Sequence, residues 1–251
     1  MAMSNATVNR RQRQRDATAE EIKTVARDLM AREGTSSINL RAVAREMGMT
    51  ASALYRYFPS RDAILTGLIK DAYDAVGEAV EQAVAAAPQD LSATEILAAV
   101  HAFRRWALDH PQEFGLIYGT PVPGYVAPAD ETLEAAMRTN FVLLGCLVQA
   151  LHRGLITPPS DDQLPPDVYQ VMRCLADGAD KVDLGLPAAV WAVAMQFWVV
   201  LLGAINAEVF GHLPEPLQVG AGPFFDFTMR RALAVMGVHE EALSASTSPP
   251  F

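Results

Sequence analysis

The stretch that most limits the fold is 38–62, INLRAVAREMGMTASALYRYFPSRD. Leu40, Val43, Ala44 and Met47 recur at i, i+3, i+4 and i+7, which is one face of a helix. Gly48 supplies a residue that tolerates positive φ, so the chain can turn there. Thr50 is a side-chain N-cap for a second helix, Ala51 to Tyr57. Pro59 stops that helix, because its nitrogen cannot donate and its ring disfavours helical geometry in the residue before it. Two short helices joined by a Gly-containing turn of about three to four residues have helix-turn-helix spacing, with the second helix placed for a DNA major groove.

Charge supports that reading. The whole chain carries −9, with a pI of 5.0. Residues 1–61 nevertheless hold 11 Lys and Arg against 6 acids, a net +5, which leaves −14 for residues 62–251. A basic head on an acidic body fits a DNA-binding module joined to a domain that does not bind DNA. With 51% hydrophobic residues the chain can bury a substantial core. Its longest apolar run, Trp191 to Ile205, is interrupted by Gln196 and reads as too short for the ~20 residues of a membrane span. The first 20 residues lack an apolar signal segment, so a soluble, cytoplasmic protein with no membrane partner is expected. Cys146 and Cys174 lack metal-ligand or redox spacing and read as reduced packing residues.

Along the chain, residues 1–16 alternate Arg with polar residues and read as a flexible basic arm. It is either a solvated tail or a segment whose arginines reach phosphate or a minor groove. Thr18 and Glu21 form a capping-box pattern opening a helix to Glu33. Ser60 caps a long helix from Arg61 to about Ala87; ~26 residues at ~1.5 Å each make it a lever of ~39 Å. Further helices are expected at Ser92–His110, Pro111–Tyr118, 130–152, Asp167–Asp180, 187–210 and Pro223–Met236. Gly119–Pro128 is irregular, and Gly211–Gly222 reads as a linker. No run alternates with period two. The class is all-α with about nine to ten helices. The expected organisation is an arm (1–16), a three-helix head (17–62), a larger helical domain (63–239) and a disordered tail (240–251).

The second helix of the motif supplies the candidate DNA contacts. Thr50, Ala51 and Ser52 are short, so backbone can near the bases, and two of them can hydrogen-bond. Tyr55 and Arg56 lie a turn later, within reach of phosphate. Arg61 sits at the start of the next helix, where free N–H groups also favour an anion. Arg41 could meet backbone or a base edge. Leu54 and Phe58 read as the apolar side that packs on Val43 and Ala44. Tyr55 and Tyr57 could instead be packing aromatics, and Arg41 and Arg45 a solvated face paired with Glu46.

The stretch AREGTSSINLRAVAREMGMTASALYRYFPSRDAIL resembles the DNA-binding domain of the TetR family of bacterial transcriptional regulators, and the likeness covers residues 18–70. Ala44 to Met47, Gly48, Leu54, Tyr55, Phe58, Pro59, Arg61 and Leu65 follow the family's pattern. Arg61 stands where the family usually has Lys, and Ala51 where many members have Lys or another polar residue. RRWALDHPQEFGLIY and FWVVLLGAINAEVFGHL resemble one subclass whose ligands vary widely. The resemblance implies an all-helical homodimer that binds operator DNA and is released by a ligand held in its second domain.

That second domain is rich in Met and aromatic residues. Phe103, Trp106, Tyr118, Met137, Phe141, Met172 and Met195 are candidates for an apolar effector pocket, or else for core, with Arg104, Asn140, Gln149 or Gln196 as polar anchors. The 188–210 segment is apolar nearly all round and must be buried on more than one side. Trp198, Leu202, Gly203 and Ala207, with Phe227 and Arg231 of the last helix, are candidates for an isologous dimer interface; the alternative is a central core helix in a monomer. The five histidines are scattered, and no catalytic motif, nucleotide loop or cofactor motif is present. Asp177, Asp180 and Asp183 with Gly178 and Gly185 hint at a cation loop. The twelfth position would be Ala188, so no metal site is assigned, and these residues read as a helix end and exposed loop.

The expectation is a non-enzymatic, ligand-responsive repressor, dimeric on a palindromic operator and released by a small hydrophobic or aromatic effector. Two alternatives remain at this stage. One is an activator, or a regulator answering to a protein; the other is a ligand carrier or enzyme with a vestigial helix-turn-helix.

Overall fold

A computed structural model describes residues 2–34, 38–88, 92–178, 186–239 and 242–243. Among these the elements are α1 (Ala2–Glu33), α2 (Leu40–Glu46), α3 (Ala51–Leu54), α4 (Arg61–Ala86), α5 (Ser92–Asp109), α6 (Pro111–Tyr118), α7 (Ala129–His152), α8 (Pro166–Gly178), α9 (Ala188–Val209), α10 (Glu215–Val219) and α11 (Ala221–Val235). A 3-10 turn spans Asp161–Gln163, and a single antiparallel bridge pairs Ile156 with Val238. The all-α class holds.

Four elements depart from the sequence reading. Helix α1 begins at Ala2, so the stretch read as a flexible arm is helical; it contains no Gly or Pro and is rich in Arg and Gln, which are good helix formers. Thr18 is therefore inside α1 and caps nothing: its hydroxyl donates to the Gln14 carbonyl at 2.9 Å. Helix α3 ends at Leu54, and the chain continues through a turn to Phe58. The stretch read as a linker holds α10, a helix of 5 residues. Finally, α9 runs for 22 residues, so it is long and apolar enough to cross a membrane by length and composition. The apolar sequence continues past both ends of the Trp191–Ile205 run. A core helix passes the same test, and α9 packs against α5, α8 and α11 with Phe197, Leu201 and Ile205 buried.

The chain divides into two compact units, Met1–Ala75 with His110–Met137, and Val76–Asp109 with Arg138–Phe251. The first unit is larger than the expected 17–62 head. Its core joins Ile22, Leu29 and Met30 of α1, Val43 and Ala44 of α2, Leu54 of α3, and Ile64, Leu65 and Leu68 of α4. Leu116 of α6 and Val122 of the following Pro/Gly-rich loop complete it, with Tyr125 packed alongside. Tyr125 is tied to α4 by a 2.9 Å hydrogen bond to Thr66. Thr66 donates its own proton to the Asp62 carbonyl, so the Tyr125 hydroxyl is the donor in that pair.

In the second unit Val100, Phe103 and Ala107 of α5 are buried, as are Phe225, Met229 and Leu233 of α11. Charged pairs reinforce this packing. Arg104 grips Glu208 through Nε and Nη2 at 2.7 and 2.6 Å, and Asp226 accepts from Arg230 at 2.6 Å and pairs with His101 at 3.0 Å. Pro187 leaves α9 without a side-chain cap of its own, and Asp161 of the 3-10 turn accepts from the Ala189 N–H at 2.8 Å instead. Of the loop read as a failed cation site, Asp180, Asp183 and Gly185 lie outside the described residues. So does the tail read as disordered, except 242–243, where Ala242 is buried and the Leu243 carbonyl accepts from Arg230.

Candidate nucleic-acid interface

The site is built by caps and a single buried anchor. Asn39 caps α2, accepting from the Ala42 N–H at 2.9 Å, a cap the sequence reading missed. Gly48 turns the chain at φ 63°, in the left-handed region that other residues avoid. Thr50 caps α3 as expected, accepting from the Ala53 N–H at 3.3 Å, and its hydroxyl lies 3.1 Å from that of Ser52. Leu54 is fully buried, and so fixes the rotation of α3 about its axis. Thr50, Ser52, Tyr55 and Arg56 are then exposed, Tyr55 at 51%, while Ala51 is half-buried. A side chain that wants to pack would not leave an aromatic ring half in water, so Tyr55 is not serving as core. Tyr57 and Phe58 do pack against the core of the first unit. Arg41 of α2 is exposed.

The cations of the head sort into two groups. Lys23 and Arg27 both meet Asp71 of α4 at 2.7 Å and hold α1 against it. Arg32 meets Glu46 at 3.3 Å, so the acid considered as a partner for Arg41 and Arg45 pairs elsewhere. Arg61 is half-buried, and its Nε donates to the Ile38 carbonyl at 2.9 Å. It therefore braces the entry to α2, a role that no local pattern around Arg61 announces. Arg10, Arg11, Arg13, Arg15, Arg41, Arg45 and Arg56 remain exposed.

The candidate effector residues are divided between the two units. Tyr118 and Met137 belong to the first unit, where Tyr118 stacks edge-on with Tyr73 at 5.8 Å and against Phe114 at 5.5 Å. Burial, helped by the neighbouring Tyr73, pushes the Tyr118 hydroxyl pKa up. In the second unit Phe103 is fully buried against Trp198, 6.0 Å between ring centroids, and Trp106 is also buried. Met172 and Met195 are half-buried and Phe141 is 55% exposed. Arg104, considered as a polar anchor, is engaged by Glu208 and lies over the Phe225 ring at 5.4 Å. Sequence reasoning missed Glu95, a carboxylate 1% exposed whose nearest cation is Arg153 at 3.6 Å. Burial, together with the charge of Glu95, pushes the Cys146 thiol up to about 11, so it stays protonated and inert.

Of the candidate dimer residues, Gly203, Phe227 and Arg231 are exposed, and Trp198, Leu202 and Ala207 are half-buried. Val199 at 66%, Phe227 at 59% and Val235 at 60% exposure give α9 and α11 an apolar outer face.

Fold and site together define a DNA-binding regulator of the helix-turn-helix class. The sequence profile described as bacterial regulatory proteins, tetR family, matches residues 22–68, and that described as tetracyclin repressor-like, C-terminal domain, matches residues 96–232. HTH-type transcriptional regulators of Mycobacterium bovis and Mycobacterium tuberculosis are each 33% identical over 236 residues, 92% of this chain and 97% of theirs. A solved regulatory protein, SCO4313, matches with TM-score 0.69 at 32% identity, over 89% of this chain and 98% of its own. RolR, solved in complex with resorcinol, shares the fold at TM-score 0.57 and 18% identity, over 96% of this chain and 98% of its own. The chain belongs to the TetR family of bacterial transcriptional regulators. It is a transcriptional regulator and not an enzyme.

Proposed function

We propose that this regulator is a cytoplasmic repressor that binds a pseudo-palindromic operator as a homodimer and leaves it when a small hydrophobic or aromatic effector binds. The observation that carries the DNA side is α3 itself: capped by Thr50, anchored by Leu54, and presenting Thr50, Ser52, Tyr55 and Arg56 to solvent. Thr50, Ala51 and Ser52 meet base edges, while Tyr55, Arg56, Arg41 and Arg61 meet phosphates. Support for the homodimer comes from the apolar outer face of α9 and α11, which water would otherwise have to solvate. The Met and aromatic content of the second unit suits an apolar effector, and the fold neighbour RolR is solved with the small aromatic resorcinol.

The mechanism is a population shift. Effector favours a conformation of the dimer in which the two recognition helices no longer match half-sites one helical turn apart, about 34–36 Å. By linkage, operator must weaken effector binding by the factor by which effector weakens operator binding. The test begins with duplex selected by the protein from a random pool. Fluorescence anisotropy on that duplex, with and without candidate aromatic effectors, is paired with effector titration of the free and DNA-bound protein. Equal and opposite factors support the reading; an effector affinity indifferent to DNA refutes the allosteric part. Sedimentation of Phe227→Glu, with wild type as reference, tests the dimer, and an unchanged sedimentation coefficient would refute this interface. Reporter output that rises with effector marks a repressor, and output that falls marks an activator.

A further inference from the structure

One carboxylate in the second unit is buried without the bonds that burial demands. Glu95, in the first turn of α5, has no hydrogen-bond partner for either oxygen among the described residues. Both oxygens are closed off from solvent, so water does not satisfy them either. Arg153 Nη1 stands 3.6 Å from Oε1, too far for a hydrogen bond. A carboxylate taken out of water with one loose ion pair lowers the stability of the fold. Where a chain keeps such a group against local packing logic, function is the physical reason to look for.

The surroundings of Glu95 define what it would accept. Ala99, one turn further along the same face of α5, is fully buried. On α7, Cys146 and Ala150 are buried, and the Glu95 charge reaches the Cys146 thiol. Cys146, Ala150 and Arg153 follow one another at i, i+4 and i+7, a single helical face. The carboxylate thus sits among small apolar side chains. Arg153 is the solvent-facing member of the pair: its side chain is 37% exposed, against 2% for Glu95. A long side chain that already reaches water can swing aside readily. A neutral ligand that displaced it would leave the buried carboxylate without a counter-charge. A cation would replace one counter-charge by another and add the missing hydrogen bond. The −14 carried by residues 62–251 also draws cations to this part of the chain.

We propose that Glu95 is the anion of a binding site for a small organic cation, an ammonium or amidinium on an apolar body, which takes the place of the Arg153 guanidinium. That this cation is the effector rests on the ligand-responsive reading of the regulator; that it binds at Glu95 does not.

The test measures binding of benzylamine and phenethylamine, each beside its matching alcohol, to the DNA-free full chain by calorimetry at constant ionic strength. At least one amine should bind wild type about tenfold or more tightly than its alcohol, the factor that the low end of a charged hydrogen bond supplies. Glu95→Gln and Glu95→Met should both abolish that preference. Glu95→Met should melt no lower than wild type, because it gives up no hydrogen bond and removes a desolvated charge. Arg153→Gln should bind the amine more tightly than wild type and the alcohol equally, because the competing cation is gone. An amine preference that is absent in wild type, retained in both Glu95 variants or weakened in Arg153→Gln overturns the proposal. So does a lower melting point for Glu95→Met, which would make the pair with Arg153 a structural one. Operator release is read separately by anisotropy on the selected duplex. Release by the alcohols with no amine preference overturns the Glu95 site and leaves the ligand-responsive reading standing. Glu95-dependent amine binding that does not release operator overturns the amine as effector and leaves the site standing, so the two failures are distinct.

Discussion

Arg61 is the residue whose replacement separates two roles that the sequence merges. Its Nε donates to the Ile38 carbonyl at 2.9 Å, and Ile38 is fully buried at the entry to α2. A hydrogen bond from a charged donor contributes about 1.5–3 kcal/mol. Arg61 is half-buried, so solvent screens part of that bond and the lower part of the range applies. Arg61→Ala should therefore lose about 1.5–2 kcal/mol of stability, read by urea denaturation, with a melting midpoint lower by roughly 3–8 °C. The same variant should bind selected and mixed-sequence DNA more weakly by the same factor. Its salt slope should be shallower by about two units, for one phosphate in each protomer of a dimer. Arg61→Lys then discriminates: an ammonium retains the phosphate contact but lacks the planar guanidinium that reaches Ile38. It should recover the slope and not all of the stability. Unchanged stability in Arg61→Ala would refute the brace, and an unchanged slope would refute the phosphate contact.

Tyr125→Phe removes the donor to Thr66 while leaving Thr66 bonded to Asp62, and should cost about 0.5–1.5 kcal/mol; a double-mutant cycle with Thr66→Val should show coupling, and additive losses would count against the bond. Gly237 has φ 89°, and a Cβ there would stand 2.0 Å from the Thr157 carbonyl oxygen, so Gly237→Ala should destabilise by more than about 2 kcal/mol in a denaturant titration. Burial acts to raise the Asp226 pKa, but the hydrogen bonds from Arg230 and His101 outweigh it and hold the carboxyl below its ordinary 3.8. A depressed folded pKa contributes stability above the unfolded value that disappears as pH falls through the folded one. The stability gap between wild type and Asp226→Asn should thus stay constant above pH 3.8 and close below it in acid-dependent denaturation; a gap that widens toward acid would contradict this.

What the sequence made legible was local. Leu40, Val43 and Ala44 announce a buried face, Thr50 a cap and Gly48 a turn, because each acts on neighbours within one or two helical turns. The anchor Leu54 was readable for the same reason. Helix α1 was misread because polarity over 1–16 suggested an arm, whereas Arg and Gln are also good helix formers and nothing in the stretch breaks a helix. Thr18 misled because a threonine can accept as a cap or donate back to the i−4 carbonyl, and only tertiary context chooses. Arg61 with Ile38, Arg104 with Glu208 and the buried Glu95 were invisible, since each is defined by a partner or a depth that comes from folding at long range. For Arg104 the partner lies 104 residues away.

The same distinction changes how a signal can reach the DNA face. The sequence suggested a head ending near residue 62, with α4 alone as the lever. In the structure the head's core includes Leu116 and Val122, and the bond from Tyr125 to Thr66 ties that loop to α4. Burying one such side chain is worth about 1.5–3 kcal/mol. Swinging α4 away from α6 and the loop would expose two of them and break the hydrogen bond, a cost comparable to a large part of a domain's stability. Residues 110–137 must therefore travel with the head. The chain passes between the two compact units three times, at Ala75–Val76 within α4, at Asp109–His110 between α5 and α6, and at Met137–Arg138 within α7. Two of these crossings are continuous helix. On the proposed ligand-responsive reading, an effector acting on the second unit would have three covalent routes to the recognition helix, and substitutions near any of them should alter induction without touching effector or DNA.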